Sequence, residues 1–393
     1  MSSSALSNRN FVNYIVGATI SLHGVWIYRV ALGWFAWELT HSEFWVGVIA
    51  FTQFAPSFIL APIFGVFADR FDRRRSAILL NLLSFCNQLL LGVLAWQGLV
   101  DIYLLAALSL VQGMFDGAHA PVRMAIVPNL VDEDQLPNAI AFTSVAFNLS
   151  RFIGPALAGL VIATWDVGAG FAINGVSYLA YVVSLATIEI RPRRQGRVRK
   201  HPWHELLDGA RYVLGHATIR ALLVLSLFRC VLGRGSLEML PAFADGVFEG
   251  GARALAIMTS AVGGGAIVAG LVLSRGTSWL TMNVIRIEII AGGLFIALLG
   301  VVENFALALP IVAILGTLLS LGGVGSQILI QTLVDDDVRG RVSSFWGAIV
   351  FGGTSLGALL IGAAAHAFGL QHAVLAAGLL TALIIVAATR SRG

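Results

Sequence analysis

The sequence predicts an all-α integral membrane protein: twelve transmembrane helices in two pseudo-symmetric six-helix bundles. Three observations carry that prediction, namely an apolar composition, a series of apolar runs of spanning length, and an internal repeat. Of the 393 residues, 58% are hydrophobic and only 12% are charged, and the mean hydropathy is +0.85. A soluble domain carries roughly twice that charged fraction. Crossing a bilayer takes about twenty apolar residues, so the chain has room for about twelve spans with short turns and no soluble domain of ordinary size. Cys86 and Cys230 lie inside apolar runs, so they imply no disulfide framework. The N-terminal stretch SSSALSNRNF lacks a short apolar core followed by a small-residue cleavage site, so the first span is expected to stay in the mature chain.

In order, the runs cover residues 11–39, 45–68, 76–97, 102–130, 139–165, 170–190, 218–246, 252–274, 282–302, 305–333, 342–366 and 372–389. Glycine and proline recur inside them, as membrane helices tolerate. The turn at 69–75 has four arginines, 191–200 has six basic residues, and 339–341 has two. Alternate turns, at 40–44, 98–101, 166–169, 303–304 and 367–371, have no Lys or Arg. The excess of basic residues on cytoplasmic loops makes the formal charge of +4 a topology signal and places both termini in the cytoplasm. No nucleic-acid footprint is read into it. The expected organisation is a first bundle at 1–190, a cytoplasmic linker at 191–216 and a second bundle at 217–393. Within the linker, Trp203, Leu206, Leu207, Ala210, Val213 and Leu214 recur at helical spacing opposite His204, Glu205, Asp208 and Arg211. That pattern predicts an amphipathic helix on the membrane surface.

The two halves repeat each other. Leu130-Val131-Asp132-Glu133-Asp134 returns as Leu333-Val334-Asp335-Asp336-Asp337, 203 residues later, and Gly154 and Gly159 fall at the same offset on Gly357 and Gly362. A weak copy of 65–70 appears at Gly270 to Arg275, offset by 205. Parallel repeats enclosing a site near the midplane are a recurrent transporter plan.

The stretch GVFADRFDRRR (65–75) puts two acids and four arginines on a short turn between the second and third runs. It resembles the signature loop of the major facilitator superfamily: Gly65, Asp69, Arg70, Arg73 and Arg74 match, and Asp72 stands where that signature usually has glycine. A basic turn that only fixes topology is the alternative reading. Residues 118–159 and LPAFADGVF (240–248) resemble bacterial exporters of the enterobactin-exporter and macrolide-efflux type. Gly154-Pro155-Ala156-Leu157-Ala158-Gly159 is similar to an antiporter motif of span five, with Ala158 in place of an expected glycine; close helix packing alone also explains it. The resemblance implies a conformational gate at the 65–75 turn, with Asp69 capping span eleven near Gly340 to Ser343 and the arginines reaching Asp132–Asp134 or Asp335–Asp337. It also implies that spans one, four, seven and ten line the cavity.

Helical periodicity singles out the same four spans. A charge inside a lipid-spanning helix costs at least about 3 kcal/mol, so buried ionisable groups mark function. Span four collects Gln112, Asp116, His119 and Arg123 on one face, and span one offers Trp26, Arg29, Gly33 and Trp37. Span seven sets Arg234 and Glu238 one turn apart, with Arg229 on another side, and span ten adds Ser320, Gln327 and Gln331. Asp116 and Glu238 are the proton-coupling candidates, because burial favours a neutral carboxyl; a static ion pair with a neighbouring arginine is the alternative for each. Arg29 and Arg234 are 205 residues apart, so the repeat relates them. Two arginines at one cavity favour anionic or carbonyl-rich substrates, while snorkelling of Arg29 toward Glu38 competes as an explanation.

No nucleophile–base constellation, nucleotide loop or metal cluster is visible; GGGAIVAG (263–270) lacks the Lys-Ser/Thr of a phosphate loop. His201 and His204 alone make no metal site. The expected function is a secondary active exporter of an amphipathic small molecule (a drug, siderophore or other metabolite). It is expected to work by proton antiport and rocker-switch alternating access, as a monomer in the cell inner membrane, with the proton gradient as its energy source and no cofactor. A translocator of lysophospholipid or glycolipid, or an uptake carrier, is the alternative.

Overall fold

The computed structural model describes residues 5–60, 63–64, 71–132, 134–189, 202–335 and 338–390. The described residues form helices and no strand. Nine of the helices are long and apolar enough to cross a membrane, and a bent helix pair makes a tenth. The shorter Glu43–Ile59 and the more polar Ile102–Ile126 complete the expected twelve.

The first half contains Arg9–Thr40, Glu43–Ile59, Arg73–Trp96, Ile102–Ile126, Leu136–Thr164 and Val167–Thr187, spans one to six. Their starts follow capping chemistry. Asn8 accepts from the Asn10 and Phe11 amides, Asp101 from Leu104, and Asp166 from Ala169, which satisfies N–H groups that a helix leaves open. Asp72 does the same for span three, accepting from the Arg75 amide at 2.8 Å. The departure from the signature pattern at this position therefore has a local reason. Span one ends where His41 takes a left-handed conformation, φ 45°, and bonds back to Trp37.

In the second half, Pro202–Gly215 turns by 103° into span seven, which begins at Ala217. Tyr212 anchors this surface helix, its hydroxyl lying 3.1 Å from Asp335 Oδ2. The side chains of 202–208, including Trp203, Leu206 and Leu207, lie outside the described residues, as do the linker at 190–201, Asp336 and Asp337. Spans eight to twelve are Gly251–Ser274, Met282–Leu299, Phe305–Leu333, Arg339–Phe368 and Leu370–Arg390.

Span seven differs from the single helix that its apolar pattern predicts. It runs α-helically over Ala217–Phe228, widens into a π-helix over Arg229–Arg234, breaks at Glu238–Met239 and widens again over Phe243–Val247. Pro241 has no amide to carry the helical ladder across this break. The wide turns rotate Arg229 and Arg234 toward different neighbours, a device common at functional sites.

The repeat seen in sequence is also a repeat of contacts. Gly154 of span five sits against Trp26 of span one, and its counterpart Gly357 of span eleven sits against Val231 of span seven. Gly159 faces Ala256 of span eight, and Gly362 faces Glu43 and Gly47 of span two. Spans two and eleven and spans five and eight thus form the two seams between the halves.

One apolar cluster joins the halves at the end away from the basic turns. It unites Leu32, Phe35 and Trp37 of span one with Leu240 and Phe243 of span seven and Leu255 of span eight. At the opposite end the buried apolar residues divide: Tyr14, Ala77 and Tyr181 belong to a cluster within the first half, and Ile219, Ile285 and Val342 to one within the second. The molecule is sealed at one end, and at the other its halves keep separate cores.

Candidate functional site

A cavity of about 140 Å³ lies between the halves near mid-helix. Trp26, Arg29 and Gly33 of span one and Arg234 and Glu238 of span seven line it, with Gln53 and Phe54 from span two. Spans five, eight and ten close it through Arg151 and Pro155, Thr259 and Gly263, and Gly316 and Leu319. Two guanidiniums lie against the Trp26 ring: Arg29 Cζ is 4.8 Å from the ring centroid and Arg151 Cζ is 5.9 Å. Arg29 also lies 5.3 Å from the Phe54 ring. Such cation–π contacts hold a desolvated arginine at about 2 kcal/mol each and leave its N–H groups free for a ligand.

Among the described residues, none of Arg29, Arg151 and Arg234 has an acidic oxygen within 4.0 Å, and Arg29 Nε is buried without a partner. Three guanidiniums therefore share one cavity with a single acid, Glu238. The sequence pattern does not single out Arg151. Span five brings only Ser144 and Asn148 onto the same face, at steps of four and three, and the arginine in mid-span is itself the signal.

Asp116 occupies a different setting. Gln112 donates from Nε2 to Asp116 Oδ1 at 3.0 Å, and the same nitrogen lies 3.1 Å from the Tyr178 hydroxyl and 3.2 Å from Ser84 Oγ, which share its second N–H. Asn87 and Gln88 donate to Gln112 Oε1 at 3.2 and 3.1 Å, which fixes the orientation of the amide. Gln112 thus faces spans three and six, fully buried, instead of the cavity. His119 sits on the same side, 3.1 Å from Asn81 Nδ2 and edge-on to Tyr181. Arg123 is half-buried one turn beyond.

Trp37 lies at the sealed end. Its Nε1 donates to Asp245 Oδ2 at 2.9 Å, and His41 Nδ1 is 4.0 Å from the same oxygen. This contact ties span one to span seven across the halves. Gln327 and Gln331 are half-buried on span ten and are not in the cavity wall. Arg74 donates from Nε to the Leu185 carbonyl at 2.8 Å and from Nη2 to Ala186. It caps the C-terminal end of span six and does not reach across to the other half. Arg73 begins span three. Gly65, Asp69 and Arg70 lie outside the described residues.

Residues 2–392 match the family described as transmembrane secretion effector. The chain belongs to that family, within the major facilitator superfamily. As a secretion effector it is a transporter and not an enzyme. It is 26% identical over 366 residues to a staphyloferrin A transporter of Staphylococcus aureus (strain NCTC 8325 / PS 47), covering 92% of this chain and 91% of the relative. It is 25% identical over 369 residues to the enterobactin exporter EntS of Escherichia coli O1:K1 / APEC, covering 90% and 86%. Its fold matches that of a bacterial homolog of the human lysosomal transporter Spinster, with a TM-score of 0.73, 15% identity and 96% of each chain covered. It also matches the nucleoside transporter NupG, with a TM-score of 0.73, 15% identity and coverage of 96% and 98%.

Proposed function

We propose that this secretion effector exports an anionic, oxygen-rich small metabolite of the siderophore class from the cytoplasm, by proton antiport. The observation that carries the reading is the set of three guanidiniums, Arg29, Arg151 and Arg234, around one cavity with a single carboxylate, Glu238. Even with Glu238 ionised, the wall keeps an excess positive charge, which attracts carboxylate or other anionic oxygens and repels lipophilic cations. The relatives that transport staphyloferrin A and export enterobactin support a metabolite of this class.

By the positive-inside rule the basic turns and both termini face the cytoplasm, so the sealed end is periplasmic. The cavity, at about 140 Å³, is below the roughly 300–1,000 Å³ of typical small-molecule sites. Substrate therefore enters as the halves part at the cytoplasmic end, and leaves when Trp37–Asp245 and the joint apolar cluster separate. Rocking of one bundle on the other supplies both motions. Asp116 is the proton carrier in this reading. Its carboxyl changes charge within a polar network that spans three, four and six share.

Binding of a tricarboxylate or catecholate probe to purified protein, measured by calorimetry in detergent, tests the charge reading. Arg29→Gln and Arg234→Gln are each expected to weaken binding by about 1–3 kcal/mol. Tight binding of a lipophilic cation that neither substitution alters would defeat it. Asp116→Asn is expected to abolish pH-driven transport in proteoliposomes while leaving binding within about 1 kcal/mol of wild type.

One further observation favours a lipid substrate as a second reading. A lateral apolar groove of about 540 Å³ opens between spans five, eight and ten, lined by Phe152, Ile257, Gly264, Val268 and Ile314. Phe152 lies against Gly263, which also lines the cavity. Flipping of a fluorescent lysophospholipid in proteoliposomes, slowed by Ile314→Trp, would select this reading over the first.

A further inference from the structure

The second half holds a buried acid that the cavity does not use. Glu288 of span nine is 4% exposed, and neither of its carboxyl oxygens has a hydrogen-bond partner among the described residues. The carboxyl lies directly over Gly322 of span ten, where any side chain would collide with it. One residue on, a Cβ at Gly323 would stand 2.9 Å from Arg229 Nη1. The Gly322-Gly323 step is therefore a cradle that lets an acid and a guanidinium settle side by side on one helix.

Yet the two do not pair, because no Arg229 nitrogen is within 4.0 Å of Glu288. Arg229, 5% exposed, donates from Nη1 to the Leu319 carbonyl at 2.9 Å, and its Nε and Nη2 are unpartnered among the described residues. The Leu319 side chain is part of the substrate cavity wall. The other neighbours of Glu288 bring no competing charge. Arg286, on the same span, is engaged with Asn283 at 3.2 Å. Span ten has no charged side chain, and its buried polar groups include the hydroxyls of Ser320 and Ser326. Among the described side chains of span twelve the one titratable group is His372, in the first turn of that helix. Arg229 is the charged group that sits over the glycine next to the one beneath Glu288.

We propose that Glu288 is a proton-binding site of the second half and that Arg229 is its switched partner. An ionised carboxylate without a partner is strongly disfavoured inside a lipid-spanning bundle, so the arrangement seen is that of the protonated carboxyl. When the proton leaves to water, the carboxylate draws the Arg229 guanidinium into an ion pair over Gly322-Gly323. Arg229 then releases the Leu319 carbonyl, and the span ten wall of the cavity is freed to move. Proton loss is thereby coupled to the substrate site through one backbone carbonyl. The coupling rests on the antiport reading above; the proton site does not.

Infrared difference spectroscopy on the full-length protein in liposomes tests it, following the protonated-carboxyl C=O band between pH 5 and 9. Wild type is expected to show a band that titrates in this range and is absent from Glu288→Gln. In Arg229→Gln the carboxyl is expected to stay protonated across the whole range, since its charged form has lost its partner. A wild-type spectrum with no Glu288-dependent titrating band overturns the site, as does unchanged titration in Arg229→Gln. Substrate exchange without a gradient is expected to survive in Glu288→Gln while pH-driven accumulation is lost. If wild-type transport ignores the pH gradient, the antiport reading falls, and the infrared band still decides the proton site.

Discussion

At the scale of single residues, periodicity reveals which side chains share a helix face, not what that face meets. Trp26, Arg29, Arg234 and Glu238 are legible because spans one and seven point a polar or aromatic stripe inward, and all four line the cavity. Gln112 shares a face with Asp116, but that face is wide enough to meet spans three and six, and Asn87 and Gln88 capture the amide there. Arg151 and Glu288 escape a reading by pattern for the opposite reason. Arg151 follows only Ser144 and Asn148 on its face, and Glu288 shares span nine with Arg286 two residues away, so neither builds the long stripe of spans one and four, although burial makes a charge in mid-helix costly. Arg151 gives the sharpest test at this scale. Arg151→Gln removes one of the two guanidiniums that contact Trp26, so an anionic ligand is expected to bind about 1–3 kcal/mol more weakly. Arg151→Lys is expected to recover only part of that loss, because an ammonium lacks the planar fork. Full binding by Arg151→Gln would remove this residue from the site.

At the scale of elements, helix number and order follow from apolar length, while breaks within a helix do not. Hydropathy over 217–247 is continuous, so the π-turns of span seven leave no trace in it; Gly233, Gly235 and Pro241 are the only hints. The second wide turn has a consequence at its far end. It carries Asp245 to Trp37 and His41, making a contact between the halves on the sealed side. A hydrogen bond to a charged acceptor contributes about 1.5–3 kcal/mol, and this one exists only while that side is shut. Asp245→Asn is therefore expected to move the equilibrium toward opening of the sealed end by roughly tenfold, at about 1.4 kcal/mol per decade. Spin-label distances between the turns at 98–101 and 303–304 would lengthen in the variant. An unchanged distance distribution would leave the Trp37–Asp245 bond with a packing role only.

At the scale of the whole molecule, the repeat gives two kinds of glycine contact, and they make different predictions. Gly154 and Gly357 pack a span onto its neighbour in the same half, against Trp26 and Val231. Gly159 and Gly362 pack across the seams, against Ala256 of span eight and Glu43 of span two. If one half rocks on the other, contacts within a half persist, whereas seam contacts near the sealed end break when that end opens. Adding a side chain to a filled site costs about 1–3 kcal/mol. At Gly159 or Gly362 that cost falls on one conformation, so Gly159→Val and Gly362→Val are both expected to favour the state open at the presently sealed end. At Gly154 or Gly357 it falls on every folded state, so Gly154→Val and Gly357→Val are expected to lower the melting temperature without shifting the equilibrium. Labelling of a cysteine at Val247, together with thermal melts in detergent, separates the two classes. Faster labelling in both seam variants, with near wild-type rates in the other two, is the pattern that pseudo-symmetric rocking requires. If Gly159→Val opens the sealed end and Gly362→Val does not, the two seams do not move together, and rigid rocking of one half on the other is the wrong description.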